Sequence, residues 1–470
     1  MDLIHKTARD IRALLACGEI QQADVLAALE ARIAAVDPEI NALPTLCFER
    51  AREQARDLDA KPAEARGVLG GVPVAIKDLS MVSGVRSTLG SPIYSTHIPE
   101  TSDHLVEKVE AAGGVIYAKS NTPEFGAGAS TFNEVFGRTR NPWNTARSVA
   151  GSSGGSAAAL VSGMAWLAHG SDLGGSLRNP ASFCGCVGLR PSVGRVPSGP
   201  SSDVFGTLSV EGPMARNCGD LGLFLDALSG PMPGEPLSQD GNHGFQAVAE
   251  APVLPKRVAY SPDLGITPVD PEVARITCAA AERLAALGVE VEETSPDFSG
   301  AHEAFQTLRG LGFATSHAVH YADHRDKLKP DVIWNIEKGM NLSGTEIARA
   351  LRLRSEIAAR AATFFETYDL LLAPATIVQP FAVEDRTVTE CNGVVFETYI
   401  DWLAIVFAIT LTGCPALSLP CGFTADGLPV GLQMVAPIRQ EAALLSHAAA
   451  LEGELALDLG PIDPRPPADA

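Results

Sequence analysis

Two short stretches of this chain concentrate serine and glycine: Gly151–Ser156, GSSGGS, and Gly170–Pro180, GSDLGGSLRNP. Serine hydroxyls beside main-chain N–H groups left uncovered by glycine are the parts that acyl transfer needs: a nucleophile for a carbonyl carbon, and donors for the oxyanion that forms on attack. Residues 151–155 also satisfy G-x-S-x-G, the tight turn that would make Ser153 a hydrolase nucleophile. That turn requires a buried strand immediately before it, and NPWNTARSVA, with Pro, two Asn, Thr and Arg, reads as a loop. The matching histidine would have to come late and from a loop, whereas His447 lies in EAALLSHAAALEGEL, a helical run.

A serine can instead be served by a lysine, provided that burial lowers the amine pKa enough to leave it neutral. Lys77 ends the apolar run GVPVAIK, a place where a lysine ordinarily snorkels to the surface. In DLGGS the amides of Gly174 and Gly175 precede Ser176, and such donors can converge on a developing negative charge, although glycine pairs are also common in turns. Lys77 and the serines of the two glycine-rich stretches are therefore the candidates for this chemistry, and which serine attacks stays open at this point.

The elements that must carry these residues alternate in type. Apolar spacing predicts helices around Ile4, Ile11, Leu14 and Leu15, and from Val25 through Leu26, Leu29, Ile33 and Val36, the second ended by Pro38. GVPVAIKDLS reads as a buried strand, DHLVEKVEAAG as a helix and GVIYAKS as a strand; after the Gly/Ser loop come a small-residue helix at about 156–162 and the apolar MAWLAHGSD. KRVAYS, a helix at about 270–287, VEVEE, YDLLLAP, ALSLPCG and VGLQMVAP continue the series. Such alternation predicts an α/β sheet with helices on both faces. SGPMPGEPLSQDGNHG, 229–244, reads as a linker, 300–365 as mostly helical, and the tail GPIDPRPPADA as loose.

In combination, AIKD around Lys77, GSSGGSAAAL around Ser152 and GSDLGGSLRNPASFCGCVGLRPS around Ser176 resemble the amidase signature enzymes. The likeness extends through SNTPEFGAG, RNPWN, LSVEGPMAR, LLLAPAT, TGCPALSLPCG and GLPVGLQMVAP, nearly the whole chain. It implies one large α/β domain over 1–470 whose mixed, mostly parallel, twisted sheet is covered by helices on both faces. Within it fall N-terminal helices (1–60), a catalytic half (61–228), a variable helical substrate region (245–365) and returning strands with a final helix (366–470). It also implies a nucleophile at Ser176 and a Ser152, preceded by a cis peptide, that relays protons to Lys77. An oxyanion hole of the Leu173, Gly174, Gly175 and Ser176 amides would complete the centre, with Ser153, Asp172 and Arg178 in support. A hydroxyl suits the middle position because it donates and accepts at once without bearing charge. Ser171 stands where many relatives have threonine, and Ala150 where glycine is frequent.

With 36 Lys and Arg against 56 Asp and Glu, the formal charge of −20 argues against a phosphate-backbone partner, and no nucleic acid is expected. The nine cysteines are scattered without a C-x-x-C pair and read as reduced core thiols. The N-terminal segment lacks the order of a signal peptide and is too polar for a membrane span, so the expected location is the cytoplasm. His317, His320 and His324 could share a helix face but lack an H-E-x-x-H pattern, and the glycine-rich loop lacks G-K-[ST], so neither a metal nor a nucleotide cofactor is expected.

The resemblance implies that the acyl pocket is walled by PEFGAGASTFNEVFG, with Phe125, Gly126 and Ala127 as contacts. Phe132 and Phe136, and later Trp334, Tyr399 and Trp402, could add apolar walls. With Arg178 the only arginine assigned to the site, the substrate is expected to be a small uncharged acyl or aryl amide and the enzyme a possible homodimer. Two other readings are the glutaminase (A-type) subunit of a tRNA-dependent amidotransferase and a non-catalytic binding protein on the same fold.

Overall fold

The computed structural model describes residues 2–240 and 244–467. Eleven strands form one sheet. In spatial order they are Thr45–Leu46, Val115–Ser120, Pro73–Lys77, Leu167–Asp172, Val210–Ala215, Val187–Arg190, Ala416–Phe423, Pro429–Val435, Leu370–Pro374, Arg257–Tyr260 and Glu290–Glu293. Early and late strands meet where Ala416–Phe423 pairs with Val187–Arg190, so the sheet runs unbroken through both halves of the chain. Every residue of Pro73–Lys77, Val115–Ser120, Leu167–Asp172 and Leu370–Pro374 is buried, as strands covered on both faces require.

The sheet is mixed, as expected, but parallel pairing is confined to two groups. Pro73–Lys77 runs parallel to Val115–Ser120 and to Leu167–Asp172, and Arg257–Tyr260 runs parallel to Leu370–Pro374 and Glu290–Glu293. The strands between these groups pair antiparallel, which corrects the mostly parallel expectation. Part of the reason is local: Ala416–Phe423 and Pro429–Val435 are joined by a short turn at Thr424–Leu428, and a connection that short can only reverse direction.

The N-terminal helices form at Ala8–Cys17 and Gln22–Ile40. The second runs through Pro38, because buried Ile40 continues the apolar face and Asn41 then closes the helix in the left-handed region. The Asp37 carboxylate accepts from the Ala42 and Leu43 amides just beyond, at 2.6 and 3.2 Å. Ile4, counted with the first helix by its spacing, lies before it.

Residues 241–243 of the expected linker and the last three residues of the tail lie outside the described residues. Elsewhere the linker is pinned, with Gln239 Nε2 donating to Val193 O at 2.6 Å. The tail is docked rather than loose: Ile462 N–H donates to Val161 O, Arg465 exchanges main-chain bonds with Pro142 and Thr145, and its guanidinium covers Trp143 at 4.6 Å. No disulfide forms among the described cysteines; six are buried, Cys47 and Cys278 are half-buried, and Cys17 is exposed rather than in the core. No helix among the described residues is long and apolar enough to cross a membrane.

Candidate active site

Parallel pairing of Pro73–Lys77 with Leu167–Asp172 delivers Lys77 and Ser171 to the same edge of the sheet, the carboxyl ends where open α/β sheets bind ligands. The segment Ala150–Ser153 crosses above that edge and enters the helix Gly154–Val161. The helix is wholly buried and its first six residues, GGSAAA, are all small; a Cβ on Gly155 would stand 2.3 Å from the Asn121 nitrogen. Ala150 has φ +55°, a left-handed conformation that costs an alanine more than a glycine and accounts for the glycine frequent there. The Gly151–Ser152 peptide is cis.

These elements aim three hydroxyls at one amine. Lys77 Nζ lies 2.7 Å from Ser152 Oγ, 2.9 Å from Ser153 Oγ and 2.9 Å from Ser171 Oγ. Ser153 donates its own proton to Ser171 O at 3.3 Å and is fully buried, so it accepts from the lysine and holds the loop. That geometry removes Ser153 as a nucleophile. The segment before it is a short hairpin, Arg140–Asn141 with Asn144–Ser148, rather than the loop expected, but it lies outside the main sheet and supplies no elbow. His447 is on the helix Glu441–Leu455, where its Nδ1 lies 2.7 Å from Val253 O, away from the serines.

Burial drives the Lys77 pKa down to about 7, against a smaller upward pull from Glu211 and Asp172. Asp78, its sequence neighbour, is unavailable: it binds buried Lys119 at 2.8 Å and Thr88. Asp172 is committed as well. Its carboxylate accepts from Arg178 Nε and Nη2, both at 3.0 Å, from the Gly175 amide at 2.9 Å and from the Leu177 amide at 3.2 Å, with Arg190 beside it. Burial alone would raise the Asp172 pKa; the two arginines overturn that and hold it well below the usual carboxylate range. Arg178 also donates to Gln433 Oε1, Val406 O and Thr410 Oγ1, which ties the glycine loop to the far strands. Breaking one side of such a buried pair strands the other, so Asp172→Asn is expected to cost about 3–5 kcal/mol in urea unfolding, with activity falling as the loop loosens.

A cavity of about 100 Å³ opens over this cluster. Ser152, Ser171, Ser176, Leu173 and Gly174 form its floor, and Phe125, Gly126, Phe305, Phe313, Tyr399 and Arg309 its walls. Of the four amides expected in an oxyanion hole, that of Gly175 is given to Asp172; Leu173, Gly174 and Ser176 border the cavity and Gly175 does not. Gly175 takes φ +103°, and a Cβ there would meet Val406 at 2.5 Å.

The predicted wall is only partly assembled. Phe125, Gly126 and Tyr399 line the cavity, whereas Ala127 is buried in a side cluster with Phe313, Leu328, Val332 and Ile336. Phe132 and Phe136 lie under Lys329 and Arg86, Trp402 packs on Phe381, and Trp334 reaches the site only through Tyr399. Sequence reasoning missed Phe305, Phe313 and Arg309. They stand on the helix Ala301–His324, where the signal was an arginine inside the apolar run AFQTLRGLGF. His317 and His320, with Nδ1 atoms 3.3 Å apart, pack on Phe125, and His320 Nε2 meets Tyr94 OH at 2.7 Å; His324 does not join them. Among the described residues no group of three or more metal-ligating side chains occurs.

The Amidase family model matches residues 24–445. The chain is 32% identical to an acylamidase of Rhodococcus erythropolis (95% of this chain, 94% of that protein). It is 36% identical to the A-type subunit of the glutamyl-tRNA(Gln) amidotransferase of Moorella thermoacetica (96% and 97%). The solved structure of 6-aminohexanoate cyclic dimer hydrolase complexed with substrate superposes with a TM-score of 0.88 at 30% identity, covering 98% of this chain and 99% of that one. A buried lysine among serine hydroxyls, a glycine-lined serine at a shared cavity, and likeness along nearly the whole length lead to one conclusion: the chain belongs to the amidase signature family and is an amide C–N hydrolase.

Proposed function

We propose that this amidase works through an acyl-enzyme on Ser176. The Ser176 hydroxyl attacks the amide carbonyl while its proton passes through Ser152 to neutral Lys77. The amides of Leu173, Gly174 and Ser176 carry the oxyanion, and Asp172 and Arg178 keep their loop in shape. Collapse breaks the C–N bond, the departing nitrogen takes a proton back through Ser152, and water then releases the carboxylic acid by the same route. What carries the reading is Lys77: an amine with a pKa near 7, touching three hydroxyls and, among the described residues, no carboxylate, beside a cavity bordered by both Ser152 and Ser176.

The substrate in this reading is a small acyl or aryl amide, in keeping with the aromatic walls Phe125, Phe305, Phe313 and Tyr399. An uncharged substrate is expected only while Arg178 is the sole arginine at the site, and Arg309 removes that reason. The likeness to an amidotransferase chain keeps glutamine in view. The purified chain, alone, is expected to release ammonia or amine from aliphatic or aryl amides. Release from glutamine only, or none until a partner chain is added, would reject the stand-alone reading. The same proposal sets the enzyme in the cytoplasm, where unpaired thiols stay reduced, as a homodimer by family resemblance.

A further inference from the structure

The catalytic cavity has an arginine in its wall that the acyl-transfer chemistry does not use. Arg309 is only 7% exposed and borders both the inner cavity and an outer chamber of about 500 Å³; Phe125, Leu173, Phe313 and Ser209 are shared by the two. It therefore stands where the two spaces meet.

Its neighbours fix it without neutralising it. One guanidinium nitrogen donates to Asn335 Oδ1. That amide is itself fully oriented, because Asn335 Nδ2 donates to Asp331 O and to Tyr399 OH, both at 2.6 Å. The guanidinium lies 4.5 Å from the Phe313 ring centre and 5.6 Å from that of Tyr399. Among the described residues no carboxylate comes within ion-pair distance of it. The acids nearest its partners are engaged: Asp331 is 3.8 Å from Lys329, and Asp401 accepts from Gln306 at 2.9 Å and from the Thr398 amide at 2.8 Å; of the two acids in the wall of the outer chamber, Glu211 lies 2.7 Å from His169 Nε2, and Asp203 stands in the same wall.

A cation this deeply buried without a carboxylate partner is costly, and Arg309 borders both spaces that a ligand could fill. A guanidinium fork matches a carboxylate in geometry as well as in charge. Resting on the amidase reading above, we propose that the substrate is an amide bearing a carboxylate, and that Arg309 receives this group at the mouth of the inner cavity while the amide carbonyl reaches Ser176. The aromatic rings of Phe313 and Tyr399 exclude water around the pair and strengthen it. Arg309 in this role is a specificity residue.

The test uses binding, so that it does not depend on turnover. Calorimetry on the Ser176→Ala enzyme compares ω-carboxy primary amides of four to seven carbons with their methyl esters and with the unsubstituted amides of equal length. At least one acid is expected to bind roughly 10–100-fold more tightly than both neutral partners, the range of a charge-assisted pair. That advantage should disappear in Ser176→Ala/Arg309→Gln and return only partly in Ser176→Ala/Arg309→Lys, which keeps the charge and loses the fork. Acids that bind no better than esters would overturn the proposal, as would an advantage that survives Arg309→Gln. The first comparison leaves Arg309 intact, so misfolding of a variant cannot mask a negative result. Tight acid binding by an enzyme whose wild type cleaves none of the amides would refute the hydrolase mechanism and leave the carboxylate site standing.

Discussion

Ser176→Ala is expected to lower kcat for any amide substrate by about 10⁴-fold or more, the usual consequence of deleting the nucleophile of an acyl-transfer set. Thermal unfolding should be nearly unchanged, within about 0.5 kcal/mol, because the hydroxyl borders a cavity and the Ser153 amide that braces this loop bonds the Ser176 carbonyl, not its side chain. An electrophilic acyl compound should add its acyl mass to the wild-type chain and not to the variant. Wild-type-like turnover in Ser176→Ala would remove Ser176 from the mechanism, and labelling that moved to Ser152 would reassign the nucleophile.

Lys77→Met is expected to be almost as damaging, about 10²–10⁴-fold, since a positioned base contributes that much. The wild-type pH profile adds an independent signature. The base must be neutral, so kcat/KM should fall about tenfold per unit below a midpoint near 7 and level off above it. Stability follows the same group. Burial depresses the Lys77 pKa from 10.5 to about 7, so the folded chain holds fewer protons than the unfolded chain between these values. The penalty of burying the amine is absent above about pH 10.5, grows as pH falls, and is complete below about 7. Urea unfolding should therefore show Lys77→Met gaining on the wild type as pH drops from about 10 to 7. A variant that retains a pH limb near 7, or whose relative stability ignores pH, would show that another group titrates there.

The motifs made the candidate catalytic set legible because each occupies one short stretch: a lysine ending an apolar strand, and two serines in glycine-rich turns. Alternating periods likewise exposed most strands and helices, since burial on both faces demands apolar runs and amphipathic helices demand spacing. What failed was non-local. Pro38 is a helix breaker by local rule, yet the burial of Ile40 carries the helix past it. The tail is rich in Pro and Asp by composition, yet Arg32, Val161 and Trp143 hold it. Strand direction depends on which partners meet, and no single strand records its neighbour.

The chain by itself determined which residues could do chemistry: a lysine, two serines and uncovered amides, because reactive groups and glycine are properties of individual positions. Only the tertiary structure decided how those groups behave. Burial lowers the Lys77 pKa to about 7, and with Asp78 turned to Lys119 and Asp172 to Arg178 and Arg190, only a smaller upward pull from Glu211 and Asp172 opposes it. The pocket wall was decided there too, for Arg309, on the helix Ala301–His324, and Tyr399, just before the turn Asp401–Leu403, lie far from Ser176 in sequence and meet it at the cavity. A pKa and a cavity depend on which groups, charged or apolar, come within a few ångströms, and that distance is created by folding.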